Sequence, residues 1–307
     1  MFRFSPNQVV LFFLTIIISH CALGQSKIDL FLTPSDTLNR SRLNAVIITE
    51  AALGSGALIG LNQLWYSDYD QSKFHTIDDN NEWLQMDKLG HVLTSYHIGR
   101  LGADVLNWSG TNNKNQLIYG ATLGLTFLTV VEVFDGFSEE WGFSWGDMAS
   151  NFAGTGLYVG QELLWEEQRI TFKYSFHQTK FAEKRPERLG TNFLEQTIKD
   201  YNGQTYWLSA NIHSFTKGGK MPKWLNIAFG YGADGMLTGD EYSNTLEFPD
   251  QERIRQYYLS LDVDLGRIET NSRLLKSLFN VINFIKIPAP TFEINSNGKM
   301  KFHYLYF

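Results

Sequence analysis

The stretch DKLGHVLTSYH, residues 87–97, places a charged pair at the start of an otherwise apolar run. Asp87 and His91 are four residues apart, so they share one face if this run is a helix. A second polar island, EVFDGFSEEWGFSWGDMASNFAG at residues 132–154, follows further along the chain. Polar side chains at the ends of apolar segments indicate that these ends meet, and the sequence predicts one shared polar cluster.

Four apolar segments around these stretches have the length of helices. They cover approximately residues 41–66, 86–108, 116–133 and 147–167. They are nearly long enough to span a bilayer, but charges such as Glu50 and Glu132 interrupt them. The sequence therefore predicts a four-helix module that is membrane-associated or membrane-embedded.

Glycines recur at spacings that place flat strips on the helix faces, and such strips let helix backbones approach closely. The pattern is compatible with packing in water and in a membrane. We predict helix packing at the following glycines: Gly56, Gly60, Gly120, Gly124, Gly154, Gly156 and Gly160.

From about residue 170 the apolar residues alternate along the chain, which is typical of strands. In LSLDVDL, residues 259–265, leucine and valine side chains lie on one face and polar side chains on the other. The chain ends on an aromatic strand with Phe307, as outer-membrane barrels do. Roughly five or six strands are fewer than the eight of the smallest such barrels. The sequence predicts an α+β protein with an antiparallel β module at residues 169–307, either an ordinary sheet or a partial barrel.

The first 24 residues have the features of a secretory signal: Arg3, an apolar run at residues 9–18 and small residues before position 25. The helical module then covers residues 25–168. The chain contains one cysteine, Cys21, and lipid attachment there is the alternative to cleavage after Gly24.

The location and partners follow from this segment and from the charge. A net charge of −6 without basic runs gives no indication of a nucleic-acid partner. We expect an exported protein, outer-membrane-associated or periplasmic, whose partners are membrane lipid or other envelope proteins. A multi-span topology in the inner membrane is the alternative.

The two polar stretches supply the candidate site residues. These are Asp87, Lys88, His91, Glu132, Asp135, Asp147 and Asn151. Carboxylates combined with an imidazole suit a divalent cation or acid–base chemistry, and the candidate metal ligands are Asp87, His91, Glu132 and Asp147. Each residue also has a structural explanation; for example, Ser144 and Asp147 fit a capping box. The sequence predicts a polar network that is structural or ion-binding, and it assigns no catalytic residue.

The order DKLGH, EVFDG, GFSWGDMASNFAG resembles the YfiM-like family of predicted periplasmic lipoproteins (DUF2279-type). More distantly it is similar to VanZ-like membrane proteins, whose pattern is Asp-Lys-x-x-His, then Glu, then Asp-x-x-x-Asn-x-x-Gly. The matching positions are Asp87, Lys88, His91, Glu132, Asp147, Asn151 and Gly154. The resemblance covers about residues 85–160 and implies a compact helical envelope domain without supplying an enzymatic activity. The chain departs from both families by an added helix before the motif and β-rich sequence after it.

We therefore expect a cell-envelope protein that is a non-enzymatic structural or accessory component at the outer membrane. The alternative is a metal-assisted hydrolase or transferase acting on a lipid or cell-wall precursor. An open cavity around the four candidate ligands would favour the enzyme. Full pairing of these groups with one another and with Lys88 would favour the structural role.

Overall fold

A computed structural model describes residues 27–67, 69–216 and 221–307 of the chain. The predicted signal segment, residues 1–24, and the predicted lipidation position, Cys21, lie outside the described residues. The chain has mixed helices and strands, with an antiparallel six-stranded sheet in its C-terminal part, as the sequence predicts.

The N-terminal part is helical. A short helix α1 precedes four longer helices, and the last four correspond to the four predicted segments. Their bounds are α1 Lys27–Leu32, α2 Arg40–Leu61, α3 Met86–Trp108, α4 Leu123–Gly136 and α5 Trp145–Trp165. Two short parallel strands, β1 Thr76–Ile77 and β2 Phe143–Ser144, pair with each other between the helices.

The helix ends are fixed by local hydrogen bonds. The Asn39 side chain accepts a hydrogen bond from the backbone of Arg42 and so caps α2. The Ser144 hydroxyl accepts the Asp147 N–H at the start of α5, which is the hydrogen bond expected of an N-cap. The cap fixes Asp147 in the first turn of α5, where a carboxylate is favourable to the helix dipole.

The predicted third helix differs from the structure at its beginning. Residues 116–120 form one wide π-turn, and the regular helix α4 starts only at Leu123. The turn brings the backbone of Gly120 and Ala121 against Gly102 and Gly99 of α3. Close backbone packing therefore replaces the uninterrupted helix that the apolar pattern predicts.

The C-terminal part contains the six-stranded sheet, whose strands follow one another in chain order. Its strands are β3 Ile170–Phe176, β4 Gln204–Asn211, β5 Leu225–Asp234, β6 Ile254–Val263, β7 Ala289–Asn295 and β8 Met300–Tyr306. Helix α6, Arg273–Ile282, lies between β6 and β7, and shorter helices occupy residues 181–184, 186–189, 193–199, 212–215 and 241–247. The sheet is not closed into a barrel, although Tyr174 of β3 makes one isolated parallel bridge to Ile285.

The sheet is strongly curled, and its polar face lies inside the curl. Lys173 of β3 forms an ion pair with Asp262 of β6, three strands away in the sheet order. The Tyr306 hydroxyl of β8 likewise hydrogen-bonds to Thr205 of β4. Contacts between non-adjacent strands require curvature, so the face that carries these side chains is concave.

Helices α3 and α5 pack against the first two strands on the opposite, convex face. The main hydrophobic core lies there and includes Met86 and Tyr96 of α3, Tyr158 of α5, Phe172 of β3 and Tyr206 of β4. This packing holds the N-terminal end of α3, with Asp87 and His91, beside the sheet module.

The predicted glycine strips differ in their surroundings. A Cβ at Gly120, Gly124 or Gly154 would press against the backbone of α3. At the remaining predicted positions, a Cβ would meet no described atom within 4 Å; these are Gly56, Gly60, Gly156 and Gly160. Only the first group therefore packs within the described part of the chain, because the spacing alone does not determine which side of a helix meets a neighbour.

The contrast between these glycines gives a stability test. We expect Gly124→Ala to lower the free energy of unfolding by about 1–3 kcal/mol, because the added methyl group meets the Ser95 backbone. We expect the control Gly156→Ala to be neutral or to stabilise by up to about 1 kcal/mol, since alanine favours a helix. Denaturant unfolding measures both, and equal effects of the two substitutions would contradict the packing described.

Two helical segments of the described chain, Arg40–Leu61 and Asn113–Gly136, have the length and apolar composition of helices that cross membranes. The second includes α4 and packs partly inside the bundle. The first is nearly all exposed.

Candidate functional site

The predicted polar residues converge at one end of the helical bundle. Asp87 and His91 lie on the first turns of α3, Glu132 lies near the end of α4, and Asp147 and Asn151 lie on the first turns of α5. They line the floor of an open cleft of about 540 Å³, except Asn151, which lies behind His91.

His91 is at the centre of the cluster. Its Nδ1 lies 3.0 Å from Asn151 Oδ1, so the hydrogen-bond network assigns the proton to Nδ1 when the ring is neutral. Its Nε2 lies 3.6 Å from Asp147 Oδ1, 3.7 Å from Glu132 Oε1 and 4.0 Å from Asp87 Oδ2. These separations are too long for good hydrogen bonds but are in the range between ligands of one metal ion.

Lys88 provides a fixed positive charge beside His91. Its Nζ lies 2.7 Å from Asp79 Oδ2, 2.8 Å from Asp147 Oδ1 and 3.5 Å from Asp87 Oδ2. The ammonium therefore partly neutralises the carboxylates. The Asp147 Oδ1 atom lies close to both the Lys88 ammonium and His91 Nε2.

Backbone and hydroxyl groups hold the carboxylates in place. Tyr201 O–H donates to Asp87 Oδ1 at 2.7 Å, and Ser144 N–H donates to Glu132 Oε2 at 3.1 Å. The Ser144 hydroxyl donates to Asp79 Oδ1 at 2.6 Å. Asp135 also lines the cleft, but it accepts a hydrogen bond from the Tyr66 hydroxyl, at 2.6 Å, rather than from a member of the cluster.

The proximity of these charges shifts the pKa values. Burial and the charge of Asp147 raise the pKa of Glu132 to about 8. Burial and the charge of Asp87 raise the pKa of Asp147 to about 7. Burial alone would lower the pKa of His91, but the carboxylates of Asp87, Asp147 and Glu132 outweigh it and raise that pKa. The buried cluster therefore holds more carboxylates than it can keep ionised without further positive charge.

A left-handed turn precedes the cluster. Trp83, Leu84 and Gln85 have φ values of 44°, 49° and 64°, a conformation that costs roughly 1–2 kcal/mol for each residue. The Leu84 carbonyl accepts hydrogen bonds from the Tyr231 hydroxyl and from Arg255, both on the sheet. The sheet module thus fixes the turn from which α3 starts, two residues before Asp87.

Several residues of the site are not among those predicted from the sequence. Asp79 lies in the acidic loop DDNNEW just before the motif, so its local signal was a carboxylate close to Asp87 and Lys88. Tyr201, Arg185 and Arg188 come from the C-terminal module, and no local pattern links them to the motif. Their part in the cleft depends on the packing of the two modules.

Among known protein families, a model described as a predicted periplasmic lipoprotein (DUF2279) matches residues 76–161. The match includes α3, α4 and most of α5, and with them all the predicted site residues. It supports a cell-envelope protein of unknown activity in a periplasmic or otherwise envelope-associated location. No curated protein and no solved structure matches the chain.

Proposed function

We propose that this envelope protein binds a divalent cation at the floor of its cleft, through Asp87, His91 and Asp147. One observation carries the proposal: one ligand atom from each of these three residues lies within 4.8 Å of the other two. A mixed carboxylate and imidazole set suits ions such as Mn²⁺ and Zn²⁺. The three ligand atoms must move slightly closer together to bind such an ion, because metal–ligand distances are near 2.1 Å.

The charge of the cleft supports this proposal. Nine carboxylate side chains line the described cleft, together with His91 and two arginines. The arginines are already paired: Arg185 with Glu187 and Glu247, and Arg188 with Glu140. The remaining negative charge attracts cations into the cleft.

The second sphere of the site supports it as well. Asn151 fixes the His91 tautomer, which leaves the Nε2 lone pair of the neutral ring facing the carboxylates. Tyr201 orients Asp87 in the same way from the C-terminal module. Outer groups of this kind commonly orient metal ligands in proteins.

A cation in this open cleft could take part in catalysis. We propose a metal-assisted hydrolase or transferase acting on a lipid or cell-wall precursor. The observation that favours it is the cavity around all four predicted ligands. Glu132 lies next to the three ligands, and its raised pKa suits proton transfer near neutral pH.

The second candidate function is a non-enzymatic structural or accessory role. The ion pairs of Lys88 with Asp79 and Asp147 favour it, because they satisfy part of the cluster without a bound ion. In this role the cluster ties α3, α5 and the preceding loop together.

For location we propose the outer membrane, with the inner membrane as the alternative. The signal-like sequence of residues 1–24 and the aromatic strand β8 support the outer membrane. We also propose a relation to YfiM-like and VanZ-like proteins, supported by the order of Asp87, His91, Glu132 and Asp147 in the chain.

Thermal unfolding with and without cations tests the site. We expect Mn²⁺ or Zn²⁺ to stabilise the chelator-treated full chain by about 2.7 kcal/mol at a hundredfold excess over the dissociation constant. His91→Ala should abolish this gain, because it removes the one imidazole of the ligand set. His213→Ala, which replaces a histidine outside the cleft, is the matched control and should retain it.

The same titration can refute the proposal. Absence of any cation effect on the unsubstituted chain would contradict cation binding and leave the structural role. An equal effect on His91→Ala would show that the cation binds elsewhere.

A further inference from the structure

Helix α2 is largely apolar, with Glu50 as its one acidic residue, and most of its residues are exposed. Within its described residues, Arg40–Leu61, Val46 is the one buried side chain. Ile48, Leu53 and Ile59 are 68%, 69% and 62% exposed. A helix that is apolar all round is normally covered, either by a protein core or by a membrane.

The sheet has polar side chains on its inner face and apolar side chains on its outer face, the reverse of a water-soluble sheet. Its concave face buries polar side chains, among them Lys173, Asp262 and Ser209. Its convex face beyond the helices exposes apolar side chains, with Phe229 56% and Phe292 63% exposed. In water-soluble antiparallel sheets the apolar face is the buried one. Apolar residues outside and polar residues inside are typical of sheets that face lipid.

These apolar surfaces are connected through α1 and α6. The two helices touch, since Asp29 of α1 accepts a hydrogen bond from the Leu274 backbone of α6. Both expose apolar side chains, including Phe31 on α1 and Val281 on α6. Phe31 in turn packs against the Trp108 ring in a tilted arrangement, and Arg42 at the start of α2 donates a hydrogen bond to the Trp108 carbonyl.

The charges of α6 fit a lipid surface. Helix α6 contains Arg273 and Lys276 and no acidic residue. Arg273 is exposed. An amphipathic helix with basic residues suits anionic phospholipid headgroups.

The sequence that precedes α1 also agrees with a membrane location. Residues 1–26 contain the apolar run 9–18 and Cys21, and they join the described chain at Lys27, the first residue of α1. Lipid attachment at Cys21, the alternative to cleavage after Gly24, would therefore place α1 next to the bilayer.

From these observations we infer that a lipid bilayer covers α2 and the convex face of β5–β8, with α1 and α6 at the level of the headgroups. The dimensions agree: the 22 residues of α2 extend about 33 Å, close to the roughly 30 Å of a hydrocarbon core. Strands β5 and β6 have 10 residues each, within the range of about 9–11 for strands in membranes. The surface does not involve the cation site, so the two proposals stand separately.

Cysteine labelling tests this surface. In a Cys21→Ser background we would introduce Leu53→Cys, Leu259→Cys or Phe292→Cys, all at exposed positions, and attach a fluorescent label. The matched control is Glu187→Cys, at an exposed position away from the apolar surface. Each full-length variant is reconstituted into vesicles of phosphatidylethanolamine and phosphatidylglycerol, with and without brominated acyl chains.

We expect brominated lipid to quench most of the fluorescence at the three surface positions and to leave the control label unchanged. Absence of quenching at the three positions would overturn the proposal. So would a discrete oligomer in lipid-free solution in which the three labels are shielded and vesicles bind no protein, since a second copy of the chain would then cover the surface.

Discussion

Replacement of Lys173 by methionine should destabilise the protein by about 3–5 kcal/mol, because it leaves a carboxylate buried without its cation. Lys173 Nζ lies 2.8 Å from Asp262 Oδ2, and both side chains are fully buried. The ammonium also donates to the Val263 carbonyl at 2.8 Å. The pair joins β3 to β6 across the curl, so its loss affects the entire concave face.

The remaining hydrogen-bond donors to Asp262 do not replace the ammonium, and the buried Lys286, which also interacts with the charge of Asp262, donates its hydrogen bond to the Ile287 carbonyl instead. The Ser209 hydroxyl donates to Asp262 Oδ2 at 2.6 Å, and the Ile287 N–H donates to Oδ1 at 3.1 Å. Both are neutral donors, and they stabilise the carboxylate without neutralising its charge. A total stability of about 5–15 kcal/mol is typical, so this single change would remove a large part of it.

Denaturant unfolding followed by tryptophan fluorescence measures the effect. The matched control is Lys223→Met, which breaks the exposed ion pair with Glu269 and should change stability by less than about 1 kcal/mol. Adding Asp262→Asn to Lys173→Met should recover part of the loss, because it removes the unpaired charge. If Lys173→Met cost no more than Lys223→Met, the buried polar face described for this sheet would be wrong.

The same face shows what the alternating pattern could and could not predict. Alternation correctly separates Leu259 and Leu261 from Ser260 and Asp262 on the two faces of β6. It does not determine which face is inside, because period two is the same for both arrangements. The ion pair between Lys173 and Asp262, which lies inside the curl, joins residues far apart in the chain.

The helices were more predictable, because long apolar runs with polar ends favour helices irrespective of their partners. The predicted segment 86–108 coincides with α3. The π-turn before α4 was not predictable, since it depends on the backbone of α3 against Gly120. The short helix α1 was not predicted either, since it contacts Trp108 and helix α6, which lie far from it in the chain.

The cluster itself was visible in the sequence, because Asp87 with His91 and Asp147 with Asn151 each share a helix face. Its surroundings were not visible. Tyr201 is separated from Asp87 by 114 positions in the chain, and only the packing of the two modules brings them to 2.7 Å. The family match at residues 76–161 also does not include Tyr201, since it ends before the C-terminal module that completes the cleft.

Lys88→Met should strengthen cation binding. The Lys88 ammonium lies 2.8 Å from Oδ1 of Asp147, one of the proposed ligands, and would repel a cation beside it. Two unit charges about 4 Å apart interact by about 4 kcal/mol at an effective dielectric constant of about 20. Even a third of this energy corresponds to roughly a tenfold change in affinity, so we expect the variant to bind Mn²⁺ or Zn²⁺ at least tenfold more tightly.

The same substitution should destabilise the cation-free protein. Asp79, Asp87 and Asp147 lose their shared ammonium, and the carboxylates then repel one another. A saturating cation should restore most of the lost stability, because it supplies the missing positive charge. Stability should therefore depend on the cation more strongly in Lys88→Met than in the unsubstituted chain.

Calorimetric titration and thermal unfolding measure these two effects on the same samples. Lys114→Met, which removes an exposed lysine from the turn before α4, is the matched control and should change neither quantity. If Lys88→Met lost stability without any gain in cation affinity, the ammonium would be the sole cation of the cluster. The polar residues that open α3 and α5 would then serve to join the helices, and the structural role would replace the cation site.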